Sequence, residues 1–275
     1  MTRGVLYHYT DAIGLHGIIS GKCLWATSIL HLNDSTEFLF FREAALNLAK
    51  QLLVARGLGE KFSFDSFAYV MRKIPVPRFV FCLSSDADRL SQWRGYCPKG
   101  GGYSVGFNKK QLLRSLGISR AFIFKCKYGT NSNKAQSTLK GICGEFASGI
   151  ENASQLRRER ERGSATSIAC VDFLNGVAVH AHEYKHPAFE EEREWRVVLS
   201  AKIDSSTQRK ERIVGSVIVP YLEIPFKKNL PIPVNEVIVG PTAESERAMA
   251  ATQEYLAHHG LTDVAVRSSI IPYRP

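Results

Sequence analysis

The 275-residue sequence contains no run of about eighteen apolar residues, and its first residues lack the continuous apolar stretch of a secretory signal. We therefore expect a cytoplasmic protein with no membrane partner. The six cysteines form no C-x-x-C pair, which argues against a zinc site of that type and against a compact disulfide framework. We expect them to be reduced and mostly buried.

The sequence also lacks two common phosphate-binding patterns. The glycines at 100, 101, 102 and 106 miss the G-x-G-x-x-G spacing, and G-x-x-x-x-G-K-[ST] does not occur. The sequence therefore has neither the glycine motif of a Rossmann fold nor that of a P-loop. The glycine triplet is instead typical of a flexible turn.

Acidic residues are absent from residues 89–144, which we call the basic segment and which hold eleven of the 36 lysines and arginines. The rest of the chain is close to neutral, so this segment accounts for the net charge of +10. A field of one sign attracts polyanions, which makes RNA or DNA a predicted partner. The alternative is a solvated face that favours solubility. The predicted nucleic-acid contacts are Lys99, Lys109, Lys110, Arg114, Lys125 and Lys127.

Helices and strands are mixed without regular βαβ alternation. Short runs rich in β-branched and aromatic residues predict strands at 5–9, 79–83, 103–107, 195–200, 213–219 and 234–239. Helical periodicity predicts a helix from Asp34 or Ser35 to Gly57, and a helical region over 132–175 that is interrupted at 157–162 and at Gly163. The pattern predicts an α+β fold with a mixed or antiparallel sheet, flanking helices and one domain over 1–275. A helical insertion is expected around 130–180.

Three histidines, His180, His182 and His186, raise the question of a metal site. If the His-x-His pair lies on a strand, both rings face the same side and could bind a metal. The spacing fixes no third ligand, although glutamates 190–192 follow closely. A solvated histidine-rich loop is the favoured interpretation, and we predict no metal.

Polar and aromatic residues recur at predicted strand ends, where functional sites are commonly assembled. Each has a structural alternative: His8 as a core histidine, Asp34 as a helix cap, Trp93 as a core residue. The motifs are YHYT with His8, Tyr9 and Thr10, LND-x-x-E with Asn33, Asp34 and Glu37, F-x-L-S with Ser84, W-x-x-Y with Trp93 and Tyr96, and EREWR with Glu192, Glu194 and Arg196.

Together with Gly240-Pro241, these motifs resemble a large family of uncharacterised bacterial cytoplasmic domains over nearly the whole chain. More distantly, the YHYT strand followed by a short helix and Gly21-Lys22-x-Leu24 is similar to the opening of ADP-ribosyltransferases. RNA 2′-phosphotransferases share that fold. This second resemblance implies an ADP-ribosyltransferase-like fold that uses NAD.

The resemblance also implies roles for individual residues. His8 and Thr10 would bind a ribose, and Tyr96 or Trp93 would pack on nicotinamide. A glutamate of the E-x-E pair, Glu192 or Glu194, would be catalytic, and the second acid is favoured. The residues expected at the NAD site are His8, Tyr9, Thr10, Asn33, Asp34, Ser84, Trp93, Tyr96 and Arg196, with His8, Tyr96, Glu192 and Glu194 as the catalytic candidates.

The chemistry explains why a carboxylate is needed. Cleavage of the bond between nicotinamide and ribose builds positive charge on the sugar, which a fixed carboxylate stabilises. Arg196 lies two residues after Glu194 and would share its strand face, so it is predicted to position that carboxylate.

The expected activity is transfer of ADP-ribose to a nucleic acid or a protein, by a toxin or phage-defence effector with a possible antitoxin partner. The alternatives are a non-catalytic nucleic-acid-binding module and an RNA phosphotransferase on the same fold.

Overall fold

The computed structural model describes residues 4–32, 37–73, 79–98, 101–116, 121–199, 209–214 and 216–272. Twelve strands lie in these residues: β1 Val5–Thr10, β2 Cys23–Ser28, β3 Phe79–Ser84, β4 Tyr103–Asn108, β5 Ala121–Lys125, β6 Lys127–Tyr128, β7 Tyr184–Lys185, β8 Glu194–Leu199, β9 Arg209–Val214, β10 Val217–Pro225, β11 Val234–Val239 and β12 Ala265–Ser268. The helices are α1 Ala12–Ser20, α2 Glu37–Ala55, α3 Phe64–Lys73, α4 Leu90–Tyr96, α5 Lys109–Ser115, α6 Asn133–Gln155, α7 Glu159–His180 and α8 Ser245–His258. A 3-10 helix, Pro187–Glu192, precedes β8.

The described residues fall into two compact units. The first comprises Met1–Leu32, Arg78–Lys125 and Phe189–Pro275. Its ten-stranded sheet follows the order β12-β11-β4-β1-β3-β2-β10-β9, with β8 on β3 and β5 on β8. Only β11 and β12 pair in parallel within this sheet, as far as its described strands extend. The predicted α+β class with a mixed, mostly antiparallel sheet is confirmed.

Strand β3 has an unusual environment, because it contacts three other strands. Along its whole length it pairs with β8, from Phe79 opposite Leu199 to Ser84 opposite Glu194. Its other edge is shared, since β2 pairs at the start of β3 and β1 pairs at Ser84. The backbone at 81–83 has no ladder partner on that edge among the described strands. The sheet is therefore split there, which leaves backbone polar groups available to side chains.

The second unit, Asn33–Pro77 with Cys126–Ala188, is built mainly from α2, α3, α6 and α7. Aromatic rings fill its core: Phe67 stacks on Phe146 with centroids 5.0 Å apart, and Phe41 on Tyr184 at 4.6 Å. Helices α6 and α7 occupy the region where a helical insertion was expected. The interpretation of the whole chain as one domain stays a prediction.

Two predicted elements are wrong in detail. Residues 213–219 form no single strand: β9 and β10 make an antiparallel hairpin in which Val214 lies opposite Val217. The β-branched residues on both sides of the turn resemble one continuous strand in the sequence. Gly163 does not interrupt the helical region, because it lies inside α7. A helical glycine costs about 1 kcal/mol, which the packing of a long helix can offset.

The structure bears on the expectations about the cysteines and about membrane-spanning helices. All six cysteines are free thiols, and three of them are fully buried. Among the helices that are described, none combines the length and the apolar character needed to cross a bilayer.

Candidate functional site

Six of the predicted site residues line one narrow cleft of the first unit. They come from β1, the end of β3, the helix α4 and the segment leading into β8. The lining residues are Tyr7, His8, Tyr9, Cys82, Leu83, Ser84, Gln92, Tyr96, Glu192 and Glu194. The volume of the cleft is about 40 Å³, and one water molecule needs roughly 10–15 Å³ on this scale. In this conformation the cleft therefore has room for only a few waters.

Strand register explains why the residues meet. Tyr7 on β1 lies opposite Ser84 on β3, and Ser84 lies opposite Glu194 on β8. Directly opposed residues of antiparallel strands have Cβ atoms about 5 Å apart. The three side chains therefore form a row across three adjacent strands.

His8 occupies the split in the sheet. Its Nδ1 lies 2.8 Å from the backbone oxygen of Cys82, and its ring lies 4.2 Å from that of Phe81, centroid to centroid. A carbonyl only accepts hydrogen bonds, so Nδ1 carries the proton and Nε2 has a free lone pair. Burial lowers the pKa of His8 from its usual 6.5 to about 4, so the ring is neutral at pH 7. A neutral His8 can accept a hydrogen bond from a ligand hydroxyl.

The depressed pKa of His8 predicts a pH dependence of stability. Between pH 6.5 and 4 the unfolded chain binds a proton that the folded chain does not, so stability falls as the pH is lowered. The full effect is on the order of 3 kcal/mol. In urea titrations between pH 7 and 4.5, wild type should lose more stability than His8→Asn. The asparagine amide can still donate to Cys82, and equal losses in both proteins would contradict the neutral state of His8.

Glu194 and Arg196 form a buried ion pair. The guanidinium donates from Nε and from a terminal nitrogen to the two carboxylate oxygens at 2.9 and 2.8 Å. Glu194 is 4% exposed and Arg196 is fully buried. Two parallel hydrogen bonds fix both the position and the plane of the carboxylate. The contact predicted from the strand spacing is present.

The segment before β8 brings a second glutamate to the cleft. Arg193 has a φ of 44°, in the left-handed region that non-glycine residues rarely adopt. This residue separates the 3-10 helix from β8, and both Glu192 and Glu194 line the cleft. Ser84 Oγ donates to the Glu192 backbone oxygen at 2.7 Å, and Tyr96 donates its hydroxyl to the Glu192 carboxylate at 2.9 Å. Such local strain is often found at functional sites.

Several predicted site residues do not line the cleft. Trp93 is 3% exposed, contacts Tyr9 edge-to-face at 4.8 Å and donates from its indole nitrogen to Asp88 at 2.7 Å. It is a core residue, so Tyr96 is the ring accessible to a ligand. The Thr10 side chain lies against Gly14 of α1. Asn33 and Asp34 lie outside the described residues.

Sequence reasoning missed Gln92, which lines the cleft and is 5% exposed. It lies four residues before Tyr96 on α4, so helical spacing places both side chains on one face. A G-x-S-x-G pattern centred on Ser104 also occurs in the sequence. Ser104 is fully buried inside β4 and donates to the Ala87 backbone oxygen, so it does not form an exposed nucleophile elbow.

The predicted nucleic-acid contacts have different environments. Lys110 and Arg114 are exposed on α5, as is Lys125 on β5. Lys109 Nζ lies 3.8 Å from the centre of the Trp195 ring. Lys127 belongs to the second unit and pairs with Glu183. Lys99 lies outside the described residues, and the idea that the basic segment forms one face stays a prediction.

The histidine cluster differs from its expected conformation. His180 ends α7, and His182 lies in a short 3-10 helix, so the pair is not on a strand. Over the part of the chain that the structure describes, no group of three or more potential metal ligands was found.

A family model described as a protein of unknown function, DUF2971, matches residues 92–197. The matched part includes Gln92, Tyr96, Glu192 and Glu194 but not the first strand with His8. The similarity to an uncharacterised family thus holds for the middle of the chain, and that description names no activity. No curated protein and no solved structure matches the chain.

Proposed function

We propose that the protein is an ADP-ribosyltransferase-like enzyme that cleaves NAD and transfers ADP-ribose to a nucleic acid or a protein. One observation carries the proposal: His8, Tyr96 and Glu194, which lie far apart in the sequence, line the same cleft. Such convergence is the geometric requirement for a shared catalytic role.

In the proposed reaction the bond between ribose C1′ and the nicotinamide nitrogen breaks. Its electron pair leaves with nicotinamide, and an acceptor nucleophile bonds to C1′ and loses a proton. The Glu194 carboxylate, fixed by Arg196, would stabilise the positive charge that develops on the ribose. His8 would accept a ribose hydroxyl at Nε2, and the Tyr96 ring would hold the nicotinamide plane.

The small volume of the cleft adds a requirement to this proposal. A nicotinamide ring is larger than a few water molecules, so the cleft must widen when the substrate enters. The hydrogen bond between Tyr96 and Glu192 joins two residues that line it, and half-exposed Tyr96 lies at the surface. Breaking this bond would help to open the site, and a single hydrogen bond contributes about 1 kcal/mol net.

The direct experiment uses NAD labelled separately in its adenylate and nicotinamide parts, incubated with pure protein and a cell lysate. We expect free nicotinamide to appear and adenylate label to be transferred to a macromolecule. Digestion of the labelled product with ribonuclease, deoxyribonuclease or protease identifies the acceptor class. Absence of both transfer and nicotinamide release in every fraction would contradict the proposed activity.

A second candidate function is a nucleic-acid-binding module without NAD chemistry. The exposed Lys110 and Arg114 on α5, in a segment without acids, favour it. Reversing both charges to glutamate should weaken RNA or DNA binding and reduce the slope of log K against log salt by about 2. Fluorescence anisotropy at several salt concentrations measures this.

The matched control for this prediction is the double variant Lys228→Glu with Arg247→Glu. Both residues are exposed and lie outside the basic segment, and the change in net charge is the same. If this control weakened binding as much as the α5 variant, the attraction would come from net charge alone.

A further inference from the structure

A second cavity lies on α4, beside the proposed catalytic cleft. Its volume is about 540 Å³ and it is open to solvent. Small-molecule sites usually measure about 300–1,000 Å³, and the volume of this open cavity lies within that range. The lining residues are Arg89, Leu90, Ser91, Arg94, Gly95 and Glu191.

The polar groups of this cavity favour an anionic ligand. Two arginines and one glutamate line it, which leaves a net positive charge. The Arg89 guanidinium lies 2.6 Å from Oδ2 of Asp86, which holds the arginine in place. Arg193 contacts the other carboxylate oxygen of Asp86, Oδ1, at 3.3 Å. The Ser91 hydroxyl is buried and has no hydrogen-bond partner among the described residues. A buried hydroxyl without a partner is costly, and a ligand oxygen could satisfy it.

Sequence neighbours line the two openings. Gln92 and Tyr96 face the catalytic cleft, whereas Ser91 and Gly95 face the second cavity. In the same way Glu192 lines the catalytic cleft, whereas Glu191 lines the second cavity. The two openings are therefore adjacent, and the Tyr96 to Glu192 hydrogen bond joins residues at their common border.

We infer that the second cavity binds a nucleoside diphosphate group, with Arg94 and Arg89 on the phosphate oxygens and Ser91 as a further hydrogen-bond partner. Arginine suits this role because its planar fork matches phosphate geometry. The identity of the ligand rests on the proposed function: the cleft at Glu194 would take the nicotinamide riboside part of NAD, and the second cavity the ADP part. The second cavity, at about 540 Å³, is the larger of the two openings and suits the larger part of NAD, whereas the cleft must widen to take the nicotinamide riboside part.

Calorimetric titration with ADP tests the inference. Wild type should bind ADP, and Arg94→Ala should weaken that binding at least tenfold, since a charge-assisted hydrogen bond contributes about 1.5–3 kcal/mol. Glu191→Gln should tighten it, because the opposing charge is removed. Arg247→Ala is the matched control: this exposed arginine on α8 pairs with Glu244, away from the cavity, and ADP affinity should not change. Adenosine, which lacks phosphate, should bind weakly and equally to all four proteins.

Equal ADP affinity in wild type and Arg94→Ala, or no binding at millimolar ADP, would overturn the inference. Arg94→Lys keeps the charge, and an intermediate affinity would support a phosphate contact over misfolding. The two proposals fail separately. Arg94-dependent ADP binding without nicotinamide release would remove the proposed activity and keep the phosphate site. Nicotinamide release that depends on Glu194 but not on Arg94 would keep the proposed activity and remove the phosphate site.

Discussion

Replacing Arg196 with methionine is expected to lower the free energy of unfolding by about 3–5 kcal/mol. Arg196 is fully buried, and its removal takes away the guanidinium that pairs with the buried Glu194 carboxylate. Desolvation of that charge is then no longer offset by the two hydrogen bonds. Urea denaturation at pH 7, followed by circular dichroism, measures the loss.

The double variant Glu194→Leu with Arg196→Met separates the charge effect from packing. With both charges removed, most of the lost stability should return, because an apolar pair avoids the desolvation penalty. Arg247→Met removes an exposed ion pair instead and should cost less than about 1 kcal/mol. A double variant that is less stable than the single one would show that Arg196 stabilises the fold mainly through its shape.

Glu194→Gln is expected to reduce nicotinamide release by a factor of about 10²–10³, the usual cost of removing one electrostatic contact to a transition state. Glutamine keeps the size of the side chain but removes the negative charge that opposes the positive charge on the ribose. Rates should be compared per folded protein, since the substitution also disturbs the pair with Arg196. Discontinuous assays at low temperature, with the folded fraction measured by circular dichroism, give this comparison.

Two further glutamine variants identify which carboxylate is responsible for nicotinamide release. Glu192→Gln should have a smaller effect, because Glu192 is 3-10 helical and accepts from the Tyr96 hydroxyl, whereas the buried Glu194 carboxylate receives two parallel hydrogen bonds from Arg196. Glu190→Gln changes an exposed neighbour outside the cleft and should leave the rate unchanged. A full rate in Glu194→Gln together with loss in Glu192→Gln would reverse the assignment.

Local sequence patterns predicted the elements of the site well. The strand that carries YHYT and the strand starting in EREWR both form where expected. Apolar alternation and β-branched residues determine such elements over a few residues. The same alternation predicted the contact between Glu194 and Arg196, which depends only on strand periodicity.

The features that sequence could not give depend on long-range packing. The W-x-x-Y motif places Trp93 and Tyr96 on α4, but only tertiary contacts decide that the first is buried and the second lines the cleft. The split edge of β3 results from the pairing of β1 and β2 at different points. No local pattern encodes that register, nor the left-handed conformation of Arg193.

The central claim is that the cleft containing Tyr96 and Glu194 binds NAD, and calorimetry with NAD tests it most directly. Wild type should bind, and Tyr96→Ala should weaken binding about tenfold, since an aromatic ring stacked on a flat heterocycle contributes about 1–3 kcal/mol. Tyr96→Phe keeps the ring and removes the hydrogen bond to Glu192, so it should bind NAD at least as tightly as wild type. No binding to wild type at millimolar NAD, or equal affinity in all three proteins, would contradict the claim.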